Sequence, residues 1–165
     1  MVRGMFDLMY EANGVGLAAN QVDLPFRMFV VNLAANPEEG EESVFINPVI
    51  SGQKGPDEQE EGCLSLPGLY AQVKRSETIT VNAFNLQLEE ISAQFNGMMA
   101  RVVQHETDHL DGVLFIDRLS ETGSMAAKES LEEFEIEFDS RRETKEIPGD
   151  EEIAARLAAL ERKYC

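Results

Sequence analysis

Hydrophobic and polar positions follow two different periods along the chain. Between residues 2 and 12, apolar residues recur every three or four positions, which predicts a helix that ends at Asn13-Gly14. Five later segments are rich in β-branched and aromatic residues, and several alternate apolar with polar positions, as half-buried strands do: 26–33, 43–50, 69–75, 77–85 and 88–95. The acidic segments 37–42 and 52–62, which contain glycine and proline, are predicted to be solvated loops.

A second helix is predicted over residues 97–110, and it contains both histidines of the chain. His105 and His109 are four positions apart, which places their imidazoles on one helical face, where both can bind the same cation. Glu106 projects about 100° around the helix from His105 and would lie beside such a cation. The alternative interpretation is that the two histidines are incidental surface residues of an amphipathic helix.

Composition favours a single domain over residues 1–165, with an acidic helical extension at about 121–165. The chain has 165 residues, of which 43% are hydrophobic, so it can bury one sizeable core. Its formal net charge of −17 argues against binding nucleic acids through a general basic surface. The sequence has no apolar run long enough for a membrane span and no recognisable secretion signal, so we expect a cytoplasmic protein without membrane contact.

The two cysteines, Cys63 and Cys165, do not resemble a disulfide framework. A catalytic metal site normally has three protein ligands and one open position for water, so two histidines require a partner. Cys63 lies in a tight turn between Gly62 and Pro67, and a thiolate there can complete the set. The alternative is that Cys63 is a small buried hydrophobic residue, as free cysteines often are.

Three stretches of the chain together resemble the signature motifs of the peptide deformylase family: GVGLAANQ at 14–21, EGCLS at 61–65 and QHETDH at 104–109. The resemblance covers residues 4–120 and includes FDLMYEA before the first motif and GVLFIDRLS after the third. It implies an α+β fold in which antiparallel sheets pack around a central helix that carries the HExxH motif. A C-terminal helical segment follows that domain here.

The resemblance also implies a metal centre and the roles of the residues around it. By similarity, a divalent metal is bound by Cys63, His105 and His109. The metal is expected to be Fe²⁺ in the cell, while Zn²⁺, Ni²⁺ or Co²⁺ can occupy the site in purified protein. Glu106 is implied to be the general acid and base. Gln21 and the backbone N–H of Leu64 are implied to stabilise the oxyanion that forms during the reaction.

The substrate implied by the resemblance is a nascent polypeptide that begins with N-formylmethionine, met near the ribosome exit. The reaction would be hydrolysis that releases formate. By similarity, the peptide backbone is contacted by Val15, Gly16 and Gly62. The methionine pocket is lined, together with His105, by Met98, Arg101 and Val102, and Tyr70 lies at its rim. We expect the protein to act as a monomer or a homodimer.

Both ends of the chain depart from the family pattern. The sequence begins almost at its first helix, where family members have a preceding segment, so the resemblance is not carried over to the first strand of the family fold or to one edge of the substrate cleft. Residues 129–165 are acidic, whereas some deformylases present a basic C-terminal helix to the ribosome. We therefore do not expect that contact, and predict instead that the terminal helices pack on the domain or on a second copy.

Two other functions fit parts of the pattern. A zincin-type metallopeptidase also uses HExxH with the same role for the glutamate, but it takes its third ligand from downstream of the helix, whereas Cys63 lies upstream. A structural, non-enzymatic metal site would need a fourth ligand, and no Cys or His remains in the sequence apart from Cys165.

Overall fold

The computed structural model of the protein describes residues 1–164. The helices within these residues are α1 (Val2–Glu11), α2 (Gly97–Leu110), α3 (Glu121–Glu143) and α4 (Asp150–Tyr164). The strands are β1 (Gly16–Ala18), β2 (Met28–Val31), β3 (Ser43–Cys63), β4 (Leu66–Phe84) and β5 (Glu90–Asn96). Short 3-10 helices occupy Ala19–Val22 and Phe115–Arg118.

The strands form one antiparallel sheet in which each strand pairs with the next along the chain. The predicted α+β class is confirmed, but the expectation of several separate sheets is wrong. The reason is that β3 and β4 form one long hairpin that continues through the sheet. Register shifts between Ile46 and Val49 and between Ser51 and Lys54 are bulges, which bend a ladder without ending it.

Segment 52–62, predicted to be a loop, lies inside β3 and pairs with β4. Most charged side chains of this segment are exposed, although its backbone pairs with β4. The run of charges therefore indicated that the side chains contact solvent, and it gave no information about backbone pairing. The predicted strands 69–75 and 77–85 are likewise two parts of β4. A tight turn at Leu64-Ser65 connects the two long strands and places the end of β3 beside the start of β4.

Helix α2 packs across the sheet and provides much of the core. Ala100 and Val103 are buried against Phe29, Phe45 and Ile79, with the rings of Phe29 and Phe45 stacked at a centroid distance of 5.0 Å. This helix has the bounds predicted for the histidine-bearing segment. The helix is buried on more than one side, since Glu106 and His109, which lie further round the helix from Ala100, are buried as well.

Helix α3 is attached to the sheet by a separate apolar cluster. Leu131 and Phe134 of α3 pack against Leu66 and Val73 of β4 and against Phe115. Cys63 also packs against this cluster. Because Leu66 follows the turn after β3, the cluster supports the segment that contains Cys63.

Helix α4 lies near the 3-10 helix that follows β1. Arg156 of α4 forms an ion pair with Asp23 at 2.8 Å, and the rings of Phe26 and Tyr164 meet edge to face. The predicted helical extension is therefore present as α3 and α4, while Cys165 lies outside the described residues.

None of the helices formed within residues 1–164 has the length and apolar character that a bilayer crossing demands. The assignment of residues 1–165 to a single domain stays a prediction.

The core around Phe29 generates a stability prediction. Phe29→Ala should lower the free energy of unfolding by about 3–5 kcal/mol, because Phe29 is fully buried and its neighbours cannot fill the space left by the ring. Val49→Ala, at an exposed position of β3, should change the free energy of unfolding by less than about 0.5 kcal/mol. Urea denaturation of both variants measures this, and similar losses in the two would contradict the assigned core.

Candidate active site

Three potential metal ligands come together from two elements of the fold. Cys63 is the last residue of β3, and His105 and His109 lie one turn apart on α2. The Nε2 atom of His109 is 3.2 Å from the Sγ atom of Cys63 and 3.2 Å from the Nε2 atom of His105. All three ligand atoms lie within 4.8 Å of one another. The interpretation of the histidines as incidental surface residues is wrong, because His109 is buried and His105 is largely so.

The spacing of these atoms fits a cation held by one sulfur and two nitrogens. Bond lengths of about 2.0–2.1 Å to nitrogen and about 2.3 Å to sulfur, at tetrahedral angles, separate the ligand atoms by about 3.3–3.6 Å. The separations of 3.2 Å from His109 Nε2 to the other two ligand atoms are close to these values, and the third pair, Cys63 Sγ and His105 Nε2, lies within 4.8 Å. A thiolate with two imidazoles is a donor set for transition metals such as Fe²⁺ or Zn²⁺ and not for Mg²⁺ or Ca²⁺.

The cysteine of this cluster is held as a thiolate. Burial raises the pKa of Cys63, but hydrogen bonds from His105 and His109 outweigh it and lower the pKa to about 5. The pKa of His105 is raised to about 10, because hydrogen bonds to Cys63 and Glu61 outweigh the opposing effect of burial. Thiolate and imidazolium are thus paired, and a divalent cation can replace the proton that they share.

The turn after β3 fixes the sulfur in place. The backbone N–H of Ser65 donates to the Sγ atom of Cys63 at 3.4 Å, an arrangement that the short connection between β3 and β4 allows. A side chain at Gly62 would collide with the ring of Tyr70, its partner on β4, so glycine lets that ring lie across the strand beside the cysteine.

Behind His105 lies a buried carboxylate. The Oε2 atom of Glu61 is 3.0 Å from the Nδ1 atom of His105, which leaves Nε2 to face the ligand cluster, 3.2 Å from the Nε2 atom of His109. Arg75 of β4 donates to both carboxylate oxygens of Glu61, at 2.6 and 2.9 Å, and Arg101 of α2 donates to Oε1. Burial alone would raise the pKa of Glu61. The hydrogen bonds from His105 and Arg75 together outweigh burial and lower this pKa to about 2. Glu61 is therefore a permanent anion that orients His105.

This carboxylate belongs to a longer series of alternating charges. Arg75 also donates to Asp108 at 2.7 Å, and Asp108 accepts from Arg118, which follows α2. At the other end of the series, Arg101 donates to the carboxylate of Asp57 at 2.9 Å. Each buried charge thus has an opposite charge on both sides, which offsets the cost of taking it out of water.

Glu106 lies outside this network. Its side chain is buried, and within residues 1–164 its Oε2 atom has no hydrogen-bond partner. Burial raises the pKa of Glu106 to about 7, and the nearby His105 and His109 only partly oppose the rise. A Cβ atom at Gly16 would collide with the Glu106 carboxyl, so glycine at this position leaves room for it. Glu106 is a carboxyl group that can take or release a proton near neutral pH.

The side-chain amide of Gln21 is fixed at both ends. Its Oε1 atom accepts the backbone N–H of Ala18 at 2.8 Å, which points the Nε2 atom towards the cysteine. Nε2 donates to the hydroxyl of Ser65 at 3.0 Å and lies 3.9 Å from the Sγ atom of Cys63. The amide donor is therefore held beside the potential metal ligands without depending on a substrate.

One cavity of about 740 Å³ opens onto this cluster. It is lined by most residues that the sequence indicated, namely Val15, Gly16, Gln21, Gly62, Cys63, Leu64, Tyr70, Met98, Arg101, Val102, His105 and Glu106. The remaining one, His109, completes the ligand cluster. The cavity is large enough for a short peptide segment.

Sequence reasoning missed several residues that shape the site. Glu61 and Ser65 were quoted within the EGCLS stretch but received no role, although a charged residue beside a potential ligand is a signal for a supporting contact. No sequence pattern indicated the contacts of Arg75 and Asp108, because their partners are distant in sequence and only the folded chain brings them together.

The site is thus of a recognisable class: three potential ligands for one cation, a carboxyl with an oxygen that has no partner among the described residues, and a fixed amide, all at a cleft. Comparison with known proteins identifies its family. The model of the family described as Polypeptide deformylase matches residues 1–125. Peptide deformylase from Rhodopirellula baltica is 51% identical over 164 residues, covering 99% of this chain and 82% of that protein. Chloroplastic/mitochondrial peptide deformylase 1B from Arabidopsis thaliana is 40% identical over 159 residues, covering 94% of this chain and 56% of that protein.

Solved structures agree with this result. The crystal structure of Arabidopsis thaliana peptide deformylase 1B with an inhibitor has a TM-score of 0.80 and 39% identity, covering 90% of this chain and 81% of that one. The structure from Thermus thermophilus has a TM-score of 0.73 and 42% identity, covering 82% of each chain. The chain belongs to the peptide deformylase family, metal-dependent enzymes that remove the N-formyl group from nascent peptides.

The ligand cluster generates a prediction about metal binding. Cys63→Ser should release the metal and abolish activity, because a neutral hydroxyl is a poor ligand at pH 7. Elemental analysis after gel filtration, together with an activity assay, measures the effect. Cys165→Ser, the control, should retain both metal and activity. Full metal content in Cys63→Ser would remove Cys63 from the ligand set.

Proposed function

We propose that this chain hydrolyses the formyl group from N-formylmethionyl peptides at the site formed by Cys63, His105, His109 and Glu106. The observation that carries the proposal is the unpartnered, buried carboxyl of Glu106 beside a ligand cluster that faces the cleft. Membership of the deformylase family supplies the reaction, and the cleft supplies room for the peptide.

In this proposal, Cys63, His105 and His109 hold the metal, which is Fe²⁺ in the cell and can be Zn²⁺, Ni²⁺ or Co²⁺ in purified protein. A divalent cation bound there supplies Lewis acidity, which makes water more acidic and polarises a carbonyl group. The thiolate contributes a negative, polarizable donor that suits Fe²⁺ as well as Zn²⁺. Glu61 supports the ligand set by accepting a hydrogen bond from His105.

Glu106 handles the protons of the reaction. Its carboxylate takes a proton from the attacking water molecule, whose oxygen then forms a bond with the formyl carbon. When the carbon–nitrogen bond breaks, Glu106 donates this proton to the leaving amine, so formate and a free N-terminus are released. A pKa of about 7 suits both halves of this cycle, because the group can lose and regain the proton at neutral pH.

Gln21 and Leu64 are assigned to the charge that develops on the formyl oxygen. The Gln21 amide is already oriented by Ala18 and Ser65, so little reorganisation accompanies its donation to the oxyanion. The backbone N–H of Leu64 is the second donor in the proposal. Each donor of this kind contributes about 3–4 kcal/mol to transition-state stabilisation.

The peptide is assigned to the cleft in an extended conformation. We propose that its backbone contacts Val15, Gly16 and Gly62, and that the methionine side chain enters a pocket lined by Met98, Arg101 and Val102. Tyr70, which is 66% exposed, lies at the rim. The apolar side chains suit a methionine, and the glycines allow close approach of the peptide backbone.

The substrates are assigned to nascent chains near the ribosome exit, which would place the enzyme in the cytoplasm. No direct binding to nucleic acid or to a membrane is part of the proposal, because the chain carries a formal net charge of −17. The enzyme would act as a monomer or a homodimer. The metallopeptidase and structural-site alternatives lose ground to the family match over residues 1–125.

The substrate assignment generates the first functional prediction. Metal-loaded protein should release formate from a formyl-Met peptide and leave the matched acetyl-Met peptide intact. The physical reason is that Gly14, Gly16 and Leu64 line the cleft, where with a bound metal they would leave little room for the extra methyl group. Formate release and free amine are measured together. Cleavage of casein at internal bonds without formate release would instead support a metallopeptidase.

The role of Glu106 generates a second prediction. Glu106→Gln keeps the shape of the side chain but removes the base, so turnover should fall by about 100-fold or more while KM changes little. Metal content by elemental analysis and peptide affinity by calorimetry should stay at the wild-type values. If the variant lost its metal, Glu106 would have to be treated as a ligand, and turnover within a few-fold of wild type would exclude a general-base role.

A further inference from the structure

We propose that Arg101 is a positioning residue that fixes helix α2, and with it His105, against the strands that carry Cys63 and Glu61. The inference rests on the proposed function, because it takes His105 and Cys63 as ligands of one metal. It assigns the guanidinium of Arg101 a role beyond its place in the wall of the methionine pocket.

The first observation is where Arg101 directs its donors. Arg101 lies one helical turn before His105 and is 3% exposed. Its Nη1 atom donates to Glu61 Oε1 and to the backbone carbonyl of Val73 at 3.0 Å. Its Nη2 atom donates to the carbonyl and to the carboxylate of Asp57, at 2.8 and 2.9 Å. The four Nη hydrogens therefore have four acceptors, all on β3 and β4.

The second observation concerns how Glu61 is held. Arg75 binds both oxygens of Glu61, but Arg75 lies on β4, the strand paired with β3. Its contacts with Glu61 orient the carboxylate within the sheet, and its link to the helix is a separate one, to Asp108 on the C-terminal side of His105. Arg101 reaches the same carboxylate from α2, in parallel with the hydrogen bond between Glu61 and His105. It thereby sets the distance across which that hydrogen bond forms.

The geometry of the ligand set makes this link important. One ligand, Cys63, is on β3, and the two histidines are on α2, so metal affinity depends on the relative position of the two elements. Arg101 bonds the backbone of β3 at Asp57 and that of β4 at Val73. Loss of such supporting contacts typically lowers metal affinity by about 10-fold to 100-fold.

A direct role in substrate binding is the competing explanation for Arg101. Its side chain lines the cleft, but the donors of both Nη atoms are committed to acceptors in the protein. What remains for the peptide is the aliphatic part of the side chain and the single Nε hydrogen, which is buried and has no partner within residues 1–164. The two roles give different signatures: a positioning residue changes metal retention and kcat, whereas a substrate contact changes KM alone.

The test compares Arg101→Met and Arg101→Lys with a matched control. Methionine keeps the aliphatic part of the side chain and removes every donor, and lysine keeps the charge but cannot bond Glu61, Val73 and Asp57 together. The control is Arg27→Met, which removes an exposed ion pair with Asp111 at the other end of α2. For each metal-loaded protein, the rate of metal loss to a chelator is measured, followed by kcat and KM with a formyl-Met peptide.

Both Arg101 variants should lose metal at least about 10-fold faster than wild type, with a lower kcat and a smaller change in KM. Arg27→Met should match wild type. Circular dichroism during urea denaturation checks that each variant is folded, and the lysine variant serves if the methionine variant does not fold. Wild-type metal retention in a folded Arg101 variant would overturn the inference, most clearly if KM alone were raised.

The wild-type measurement separates this inference from the proposed function. The ligand assignment itself would fail if wild-type protein bound no metal. It would also fail if the Cys63→Ser variant bound metal as well as wild-type protein does. If wild-type protein held the metal through Cys63 while the Arg101 variants held it as firmly, only the positioning role of Arg101 would be contradicted.

Discussion

The buried carboxylate of Glu61 is the group on which the arrangement of the site depends. An isolated charge in the interior would be very unfavourable, so the fold surrounds Glu61 with Arg75, Arg101 and His105. Removal of one partner from such a buried pair typically costs about 3–5 kcal/mol, since it leaves an uncompensated charge. The requirement to satisfy this one anion holds β3, β4 and α2 in a fixed relation, and the proposed metal ligands lie on two of these three elements, β3 and α2.

The chemistry of the site follows from which groups the network includes. His105 is oriented by Glu61 through Nδ1, and its Nε2 atom lies 3.2 Å from the Nε2 atom of His109 in the ligand cluster, so the direction of its ring is set by the protein. Glu106, the next residue on α2, is excluded from the network and has an unpartnered oxygen, within the part of the chain that is described. In the proposed mechanism, one helix thus presents a fixed ligand and an adjustable proton carrier side by side. The separation of these roles is what a hydrolytic site requires.

Sequence patterns predicted the features that depend on residues close together in the chain, such as a helix and the face on which its side chains lie. The i, i+4 spacing of His105 and His109 placed both on one face of a helix, and the bounds of that helix were predicted from its flanking residues. The EGCLS stretch led to Cys63 through resemblance, whereas spacing alone left its role open. The contacts between Glu61 and Arg75 could not be predicted, because they depend on the register of a long hairpin. That hairpin was itself divided into shorter strands and a loop, because charges at 52–62 report exposure of side chains and not pairing of the backbone.

X-ray absorption at the metal edge of metal-loaded protein tests the central claim most directly, because it counts the ligand atoms and measures their distances. A cation held between β3 and α2 should have one sulfur at about 2.3 Å and two imidazole nitrogens at about 2.0–2.1 Å, with any further ligand a light atom. A first shell of oxygen and nitrogen without sulfur, or one with two sulfurs, would contradict the assignment of Cys63, His105 and His109 as the metal site.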